Sequence, residues 1–237
     1  MIHAILTMDD IASANTPAIV DYLNEKHITA LMFAVGTFVE KYYDHAIYAL
    51  QHGMIVGNHS YDHPHFSQLT LEQAVDEIEK NEAVLNKLYQ DAGVERRYRP
   101  FRFPFGDKGG TNKEALQQYF KDHGFHKLKD SAIPYAFWKE EGFHEDLDTL
   151  WTYDFCEYNI RPGSGYTWED ALKRMQDMHP KNGAPLFGEG GHHILLLHAH
   201  DDTEAMVPEY YRRFLDQLLD KGVVFDLPEF YPAGRTV

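Results

Sequence analysis

Two adjacent acids, Asp9 and Asp10, end an apolar run, Ile2-His3-Ala4-Ile5-Leu6-Thr7-Met8. A second apolar run, Met54-Ile55-Val56-Gly57, leads into Asn58-His59-Ser60-Tyr61-Asp62-His63. Carboxylates and imidazoles delivered by buried strands are the donors of a divalent-metal site of the Zn, Co, Ni or Mn kind. Neighbouring side chains on a strand point to opposite faces, so one acid can bind an ion while the other faces a substrate. A metal site that also holds a base can activate water. His59 and His63 stand four apart, a spacing that on one helical turn puts both rings on one face. His65 follows, but Pro64 bends the path there, which makes it a surface or supporting residue.

Two later runs also end in chemistry. Arg102-Phe103-Pro104-Phe105-Gly106 closes a strand-like segment. Arg102 is expected to pair with a carboxylate and orient it. Past Pro104 the chain turns, and the Phe105 N–H could face a developing oxyanion. Ile194-Leu195-Leu196-Leu197-His198 is a buried strand with a histidine at its end, and His198 reads as a general acid. His200 is a lesser candidate on the same face.

The elements that must position these residues alternate along the chain. Strands are expected at 2–8, 29–35, 54–58, 98–104, 149–154, 193–198 and 222–227. Helices are expected at 15–26, 38–52, 71–92, 112–123, 168–178 and 203–221. The helix at 71–92 opens on Thr70 with Gln73 three residues on, a capping box, and Leu71, Val75, Ile78, Leu85 and Leu88 recur at helical spacing. Alternation of this kind implies parallel strands with crossover helices. Seven or eight units in 237 residues point to a (β/α) barrel, whose chemistry lies at the C-terminal strand ends. Asp9, Asp10, His59, Arg102, Asp154 and His198 all fall there. The stretches 133–148 and 180–192 read as loops that border the site.

Composition narrows the function. A net charge of −15 argues against nucleic acid and anionic membrane as partners, since both need clustered Lys and Arg. Cys156 is the only cysteine, which excludes an intrachain disulfide and a cysteine-rich zinc site. No apolar run approaches a membrane span, and no basic segment precedes an apolar one at the start. A cytoplasmic location is the expectation.

Together these segments resemble the five motifs of the polysaccharide deacetylases of the NodB-homology type, carbohydrate esterase family 4. Thr7-Met8-Asp9-Asp10 is similar to the family's T-F-D-D motif. His59-Ser60-Tyr61-Asp62-His63 resembles H-[S/T]-x-x-H, and Arg102-Phe103-Pro104-Phe105 resembles R-x-P-[F/Y]. Asp154-Phe155-Cys156-Glu157-Tyr158 resembles D-x-x-D-W, and Leu195-Leu196-Leu197-His198 the closing L-x-x-H-type motif. They occur in the family's order.

The resemblance implies a single domain over 1–237 with a distorted (β/α)7-8 barrel. It implies that Asp10, His59 and His63 hold one divalent ion, first of all Zn, with Co, Ni or Mn as alternatives. Asp9 would be the general base, oriented by Arg102. His198 would be the acid, tuned by Glu157, and Phe105, Tyr158 and Leu196 would line the substrate pocket. The reaction would remove N-acetyl or O-acetyl groups from an amino-sugar-containing oligo- or polysaccharide, with a small N-acyl compound as a further candidate substrate. Hydrolysis of another non-peptide C–N bond, as in a cyclic imide or ureide, is the second reading, and an inactive carbohydrate-binding relative the third. Ile11 stands where the family usually has Gly, so a different turn is expected there, because a β-branched residue disfavours positive φ. Met8, Glu157, Tyr158 and Ala199 also depart from the pattern.

Overall fold

The computed structural model describes residues 1–236. In chain order the elements are β1 (His3–Ile11), α1 (Thr16–Glu25), β2 (Leu31–Ala34), α2 (Gly36–Lys41), α3 (Tyr43–Gln51), β3 (Ile55–Asn58) and α4 (Leu71–Ala92). There follow α5 (Lys113–Asp122), α6 (Ala136–Glu140), β4 (Tyr153–Asp154), α7 (Trp168–Gln176), β5 (His192–His198), α8 (Asp201–Met206), α9 (Tyr210–Asp220) and β6 (Val224–Phe225). The strands form a six-stranded sheet in the order β3-β2-β1-β5-β4, with β6 beside the start of β1. Every pairing is parallel. β1 and β5 sit at its centre, and Leu6, Met8, Leu195 and Leu197 are fully buried there. Their near-continuous apolar character is what a strand covered on both faces requires.

The sheet curls into a distorted (β/α) barrel whose far side is made of irregular chain. The expected strand at 98–104 shrinks to one parallel bridge, Phe101 with Asn58, and that at 149–154 to the two residues of β4. Pro100 and Pro104 cannot donate to a ladder, which cuts the first segment short. The ring is closed instead by the Thr149 N–H to the Phe101 carbonyl (2.8 Å) and the Thr152 N–H to the Ile194 carbonyl (2.9 Å). The Arg102 side chain fills the gap between them. Its Nε donates to the Thr149 carbonyl at 2.9 Å and its Nη2 to the Leu150 carbonyl at 3.3 Å. Gly57 is required beside this closure, since a Cβ there would lie 2.8 Å from Pro100 Cγ and 2.9 Å from its carbonyl oxygen.

Two expected helices are each divided. The 38–52 segment breaks at Tyr42 into α2 and α3. The 203–221 segment breaks into α8 and α9 around Val207-Pro208-Glu209, because a residue before proline is driven out of the helical region, and Glu209 is left-handed (φ 58°). The capping box of Thr70 and Gln73 opens α4 as expected, and a second one, Thr167 with Asp170, opens α7. The 133–148 stretch is not all loop, since it holds α6. No helix among the described residues is long and apolar enough to cross a membrane.

A buried polar knot ties α4 to the end of β3. The Asn58 amide donates to the Ile78 carbonyl (3.0 Å) and to Glu82 (2.9 Å). Its oxygen accepts from Asn81 (2.9 Å) and from the Ser60 N–H (2.8 Å). Glu82 in turn accepts from Arg96 (2.8 Å) and Arg99 (2.9 Å). Removing the Asn58 side chain strands several buried partners, each costing about 1–3 kcal/mol when unpaired. Denaturant unfolding of Asn58→Ala should therefore show a loss of at least ~2 kcal/mol, and a change below ~0.5 kcal/mol would show that the knot is dispensable.

Candidate active site

The C-terminal ends of the parallel strands meet at one rim. β1 brings Asp9 and Asp10, β3 leads directly into His59, and β5 ends on His198. Arg102 follows the Phe101 bridge, and Asp154 ends β4 ahead of Glu157. They surround a cavity of about 500 Å³ whose walls include Asp9, Asp10, His59, His63 and His198. Phe105, Tyr158 and Leu196, the expected pocket residues, also line it.

Asp10, His59 and His63 offer three donor atoms within 4.8 Å of one another. The Nε2 atoms of His63 and His59 lie 3.4 and 3.8 Å from Asp10 Oδ1, and that buried oxygen has no hydrogen-bond partner. The His59 Nδ1–H donates to the Arg102 carbonyl (2.7 Å), which leaves its Nε2 lone pair facing the cluster, as metal ligation requires. Burial first, and then His59, push His63 down to about 4, so its ring is neutral and free to ligate at neutral pH. Burial opposes ionisation of Asp10, but the His200 hydrogen bond and the nearby histidines outweigh it and hold the carboxyl well below its ordinary range. The donor set fits a divalent ion of the zinc type with coordination positions left open.

Asp154, Glu157 and His198 form a second group of donors. Part of this group is already engaged, and Glu157 Oε2 is its buried atom without a hydrogen-bond partner. His198 Nδ1 lies 3.0 Å from Glu157 Oε1, and Asp154 accepts the Cys156 N–H at 2.7 Å. Burial disfavours a charged His198, but the adjoining Glu157 carboxylate reverses this and raises its pKa well above the ordinary value. The charged form of His198 is thereby favoured, and among the described residues its Nε2 has no hydrogen-bond partner.

Asp9 lies beside the first group and lines the same cavity. Arg102 Nη1 donates to its Oδ1 at 2.8 Å, and its Oδ2 lies 3.4 Å from His59 Nε2. The same Nη1 reaches Thr7 Oγ1 (2.8 Å). The expected pairing of Arg102 with a carboxylate is present, and the guanidinium is fully buried.

Three features depart from the expectations. His59 and His63 do not share a helical turn. The chain between them is a loop with Ser60 and His63 left-handed (φ 66° and 63°), held by Glu77, which accepts the N–H groups of Tyr61 and Asp62 at 3.1 and 3.0 Å. At the turn after the acid pair the positive φ falls on Asp10 itself (62°) and not on Ile11, since an aspartate tolerates that region better than a β-branched residue. His200, a lesser candidate by sequence, has the closest contact to the cluster: its Nε2 donates to Asp10 Oδ2 at 2.7 Å. The run His198-Ala199-His200 was the available signal. Phe38, from α2, and Trp151 and Arg161, from loops, also line the cavity, and nothing in their local sequence marked them. His65 lies at the surface, stacked on Phe105 with ring centroids 4.0 Å apart.

Comparison with known proteins identifies the family. The family described as polysaccharide deacetylase matches residues 2–127. A peptidoglycan-N-acetylglucosamine deacetylase of Bacillus cereus is 31% identical over 103 residues, covering 43% of this chain and 36% of that one. The peptidoglycan-N-acetylmuramic acid deacetylase PdaC of Bacillus subtilis is 32% identical over 120 residues, covering 49% and 24%. The matched region thus spans about a third or less of these relatives. Among solved structures, the family 4 carbohydrate esterase from Streptomyces lividans in complex with acetate superposes with a TM-score of 0.61 at 21% identity, over 95% of this chain and 92% of that one. At that identity the likeness concerns the fold. With the family match extending over more than half of its length, the chain belongs to the polysaccharide deacetylase family, of the NodB-homology, carbohydrate esterase family 4 type.

Proposed function

We propose that this protein is a metal-dependent hydrolase that removes N-acetyl groups from an amino-sugar-containing oligo- or polysaccharide, with the whole chain acting as one domain. The observation that carries the reading is the lining of the cavity. A candidate metal triplet, an arginine-held carboxylate and a glutamate-held histidine line the same cavity. The names of the Bacillus relatives, deacetylases of peptidoglycan amino sugars, support an acetylated amino sugar as substrate.

Asp10, His59 and His63 would hold the ion, with zinc the best match to a carboxylate and two imidazoles. When bound, it would polarise the acyl carbonyl and lower the pKa of the attacking water. Asp9, fixed by Arg102, accepts the proton that the water gives up as it attacks. The Phe105 backbone N–H, from a residue in the cavity wall, would donate to the oxyanion of the tetrahedral intermediate. His198 then protonates the departing nitrogen, since an amine leaves far more readily than an amide anion. Glu157 keeps that ring charged and turned toward the cavity. Tyr158, whose ring lies edge-on to His198 at 4.7 Å, and Leu196 close the acyl end. A cyclic-imide hydrolase that works without metal would have no use for the orphaned Asp10 oxygen.

Two measurements test this. Metal-loaded protein should release acetate from N-acetylglucosamine oligomers, lose that activity on chelation and regain it with added zinc. Turnover that persists after complete chelation would contradict the metal role. His198→Ala should lower kcat by ~100- to 10,000-fold while zinc content stays at the wild-type level. Near-wild-type kcat in that variant would remove His198 from the acid role.

A further inference from the structure

A second cavity of about 630 Å³ adjoins the catalytic one and shares Phe105, Trp151, Asp154 and Tyr158 as a common wall. Its far side is built from both long loops, with Phe137 and Phe143 from one and Lys181 from the other. Both cavities fall in the size range of small-ligand sites. The second one contains a cation without a counterion. Arg174, in the last turn of α7, reaches in half-buried. Its Nε donates to the Asp154 carbonyl at 2.7 Å, and its guanidinium lies 5.5 Å from the Tyr153 ring centre. Among the described residues it makes no ion pair, whereas Arg96 and Arg99 are both paired with Glu82.

The anchoring has a chemical consequence. With Nε held by the backbone, the two terminal nitrogens form a fixed fork without a protein acceptor, the geometry that grips a planar oxyanion in bidentate fashion. Lys181, also without an ion pair among the described residues, adds a second positive charge at the rim. The acids that face this cavity are Glu141, exposed at its mouth, and Asp154. The Asp154 carboxyl is buried and already accepts the Cys156 N–H. Two cations against these two acids leave no net positive charge, and the chain as a whole carries −15, so general attraction does not draw anions in. The unpartnered donors of the Arg174 fork are what would hold one, and a monoanion enters at less cost than a dianion.

We propose that this second cavity is a substrate subsite that takes a carboxylate-bearing sugar next to the one deacetylated, with the carboxylate held by Arg174 and Lys181 at the rim. Trp151, in the shared wall, would separate the two sugar rings, and Phe137 and Phe143 would face the second. The substrate class is thereby an acidic acetylated oligosaccharide. The subsite rests on the deacetylase reading for its place in the reaction, but binding can be measured without turnover.

The test is calorimetric titration of the zinc-loaded protein with three disaccharides. One is two neutral N-acetylglucosamine units. The second replaces the neighbouring ring by its C6-carboxylate form, and the third by its 6-phosphate. Wild type should bind the carboxylated sugar about tenfold or more tightly than the neutral one, as expected for charge-assisted hydrogen bonds. Arg174→Gln should bring that ratio to within about twofold, and Arg174→Lys should restore part of it, because a point charge replaces the fork. Lys181→Gln should lower it by only about two- to threefold, as for an exposed charge. The ratio cancels any general loosening of the fold. No carboxylate preference in wild type, a preference that survives Arg174→Gln, or tighter binding of the phosphate would each overturn the proposal. Acetate assayed in the same samples reports on the reaction separately. Carboxylate-selective binding without acetate release sinks the deacetylase reading alone, and acetate release without selectivity sinks the subsite alone.

Discussion

One guanidinium joins the fold to the chemistry. Arg102 is completely buried, and a buried charge is tolerated only when its donors are satisfied. Its partners come from distant parts of the chain: Asp9 and Thr7 on β1, and the carbonyls of Thr149 and Leu150. Its carbonyl takes the His59 Nδ1–H, and its side chain lies over Phe33, 4.4 Å from the ring centre. It therefore closes the part of the barrel where no strand ladder exists, orients the carboxylate of Asp9, and sets the tautomer of His59. Removing one member of a buried ion pair commonly costs about 3–5 kcal/mol, so the site and the barrel closure depend on the same contact.

The remainder of the site is held by strain balanced against anchoring. Asp10, Ser60, His63 and Phe105 all adopt left-handed backbone, at about 1–3 kcal/mol each for residues other than glycine. Each sits next to a restraint. His200 holds Asp10, Asn58 holds the Ser60 N–H, and the Ser60 hydroxyl holds the His63 N–H at 3.1 Å. The Phe105 ring packs between His63 and His65. The long helix α4 supplies Ile78, Glu77, Asn81 and Glu82 to this framework. Its length is thus explained by support of the β3 loop as well as by burial of its apolar face.

Much of this was legible in the chain because strand ends are legible. An apolar run followed by Asp9-Asp10, His59 or His198 states both the buried strand and the residue it delivers, and all of these converge on one cavity. Conformations set by tertiary contact were not legible. The segment around Arg102 reads as a strand, but its prolines and the reach of its side chain make it a single bridge. The 203–221 segment reads as one helix, and Pro208 divides it. His200 carried only a position two residues past His198, and nothing local shows that its ring turns back to Asp10. Trp151 lies in a loop, which leaves no period in a sequence, and Arg174 lies in α7, where helical spacing alone does not show that its side chain reaches a cavity.

Asp9 and Asp10, adjacent in the chain, are held differently, one by Arg102 and the other by His200 beside His59 and His63, and separate tasks follow if the proposed mechanism holds. The most direct measurement is zinc affinity and kcat for Asp9→Asn and Asp10→Asn, made in parallel. The account predicts that Asp9→Asn binds zinc within a few-fold of wild type and loses ~100-fold or more in kcat. It also predicts that Asp10→Asn loses zinc affinity by at least ~10- to 100-fold, the scale seen even for residues that only support a ligand. If both variants lost metal equally, or if Asp9→Asn lost it while Asp10→Asn kept it, the division of labour would be wrong.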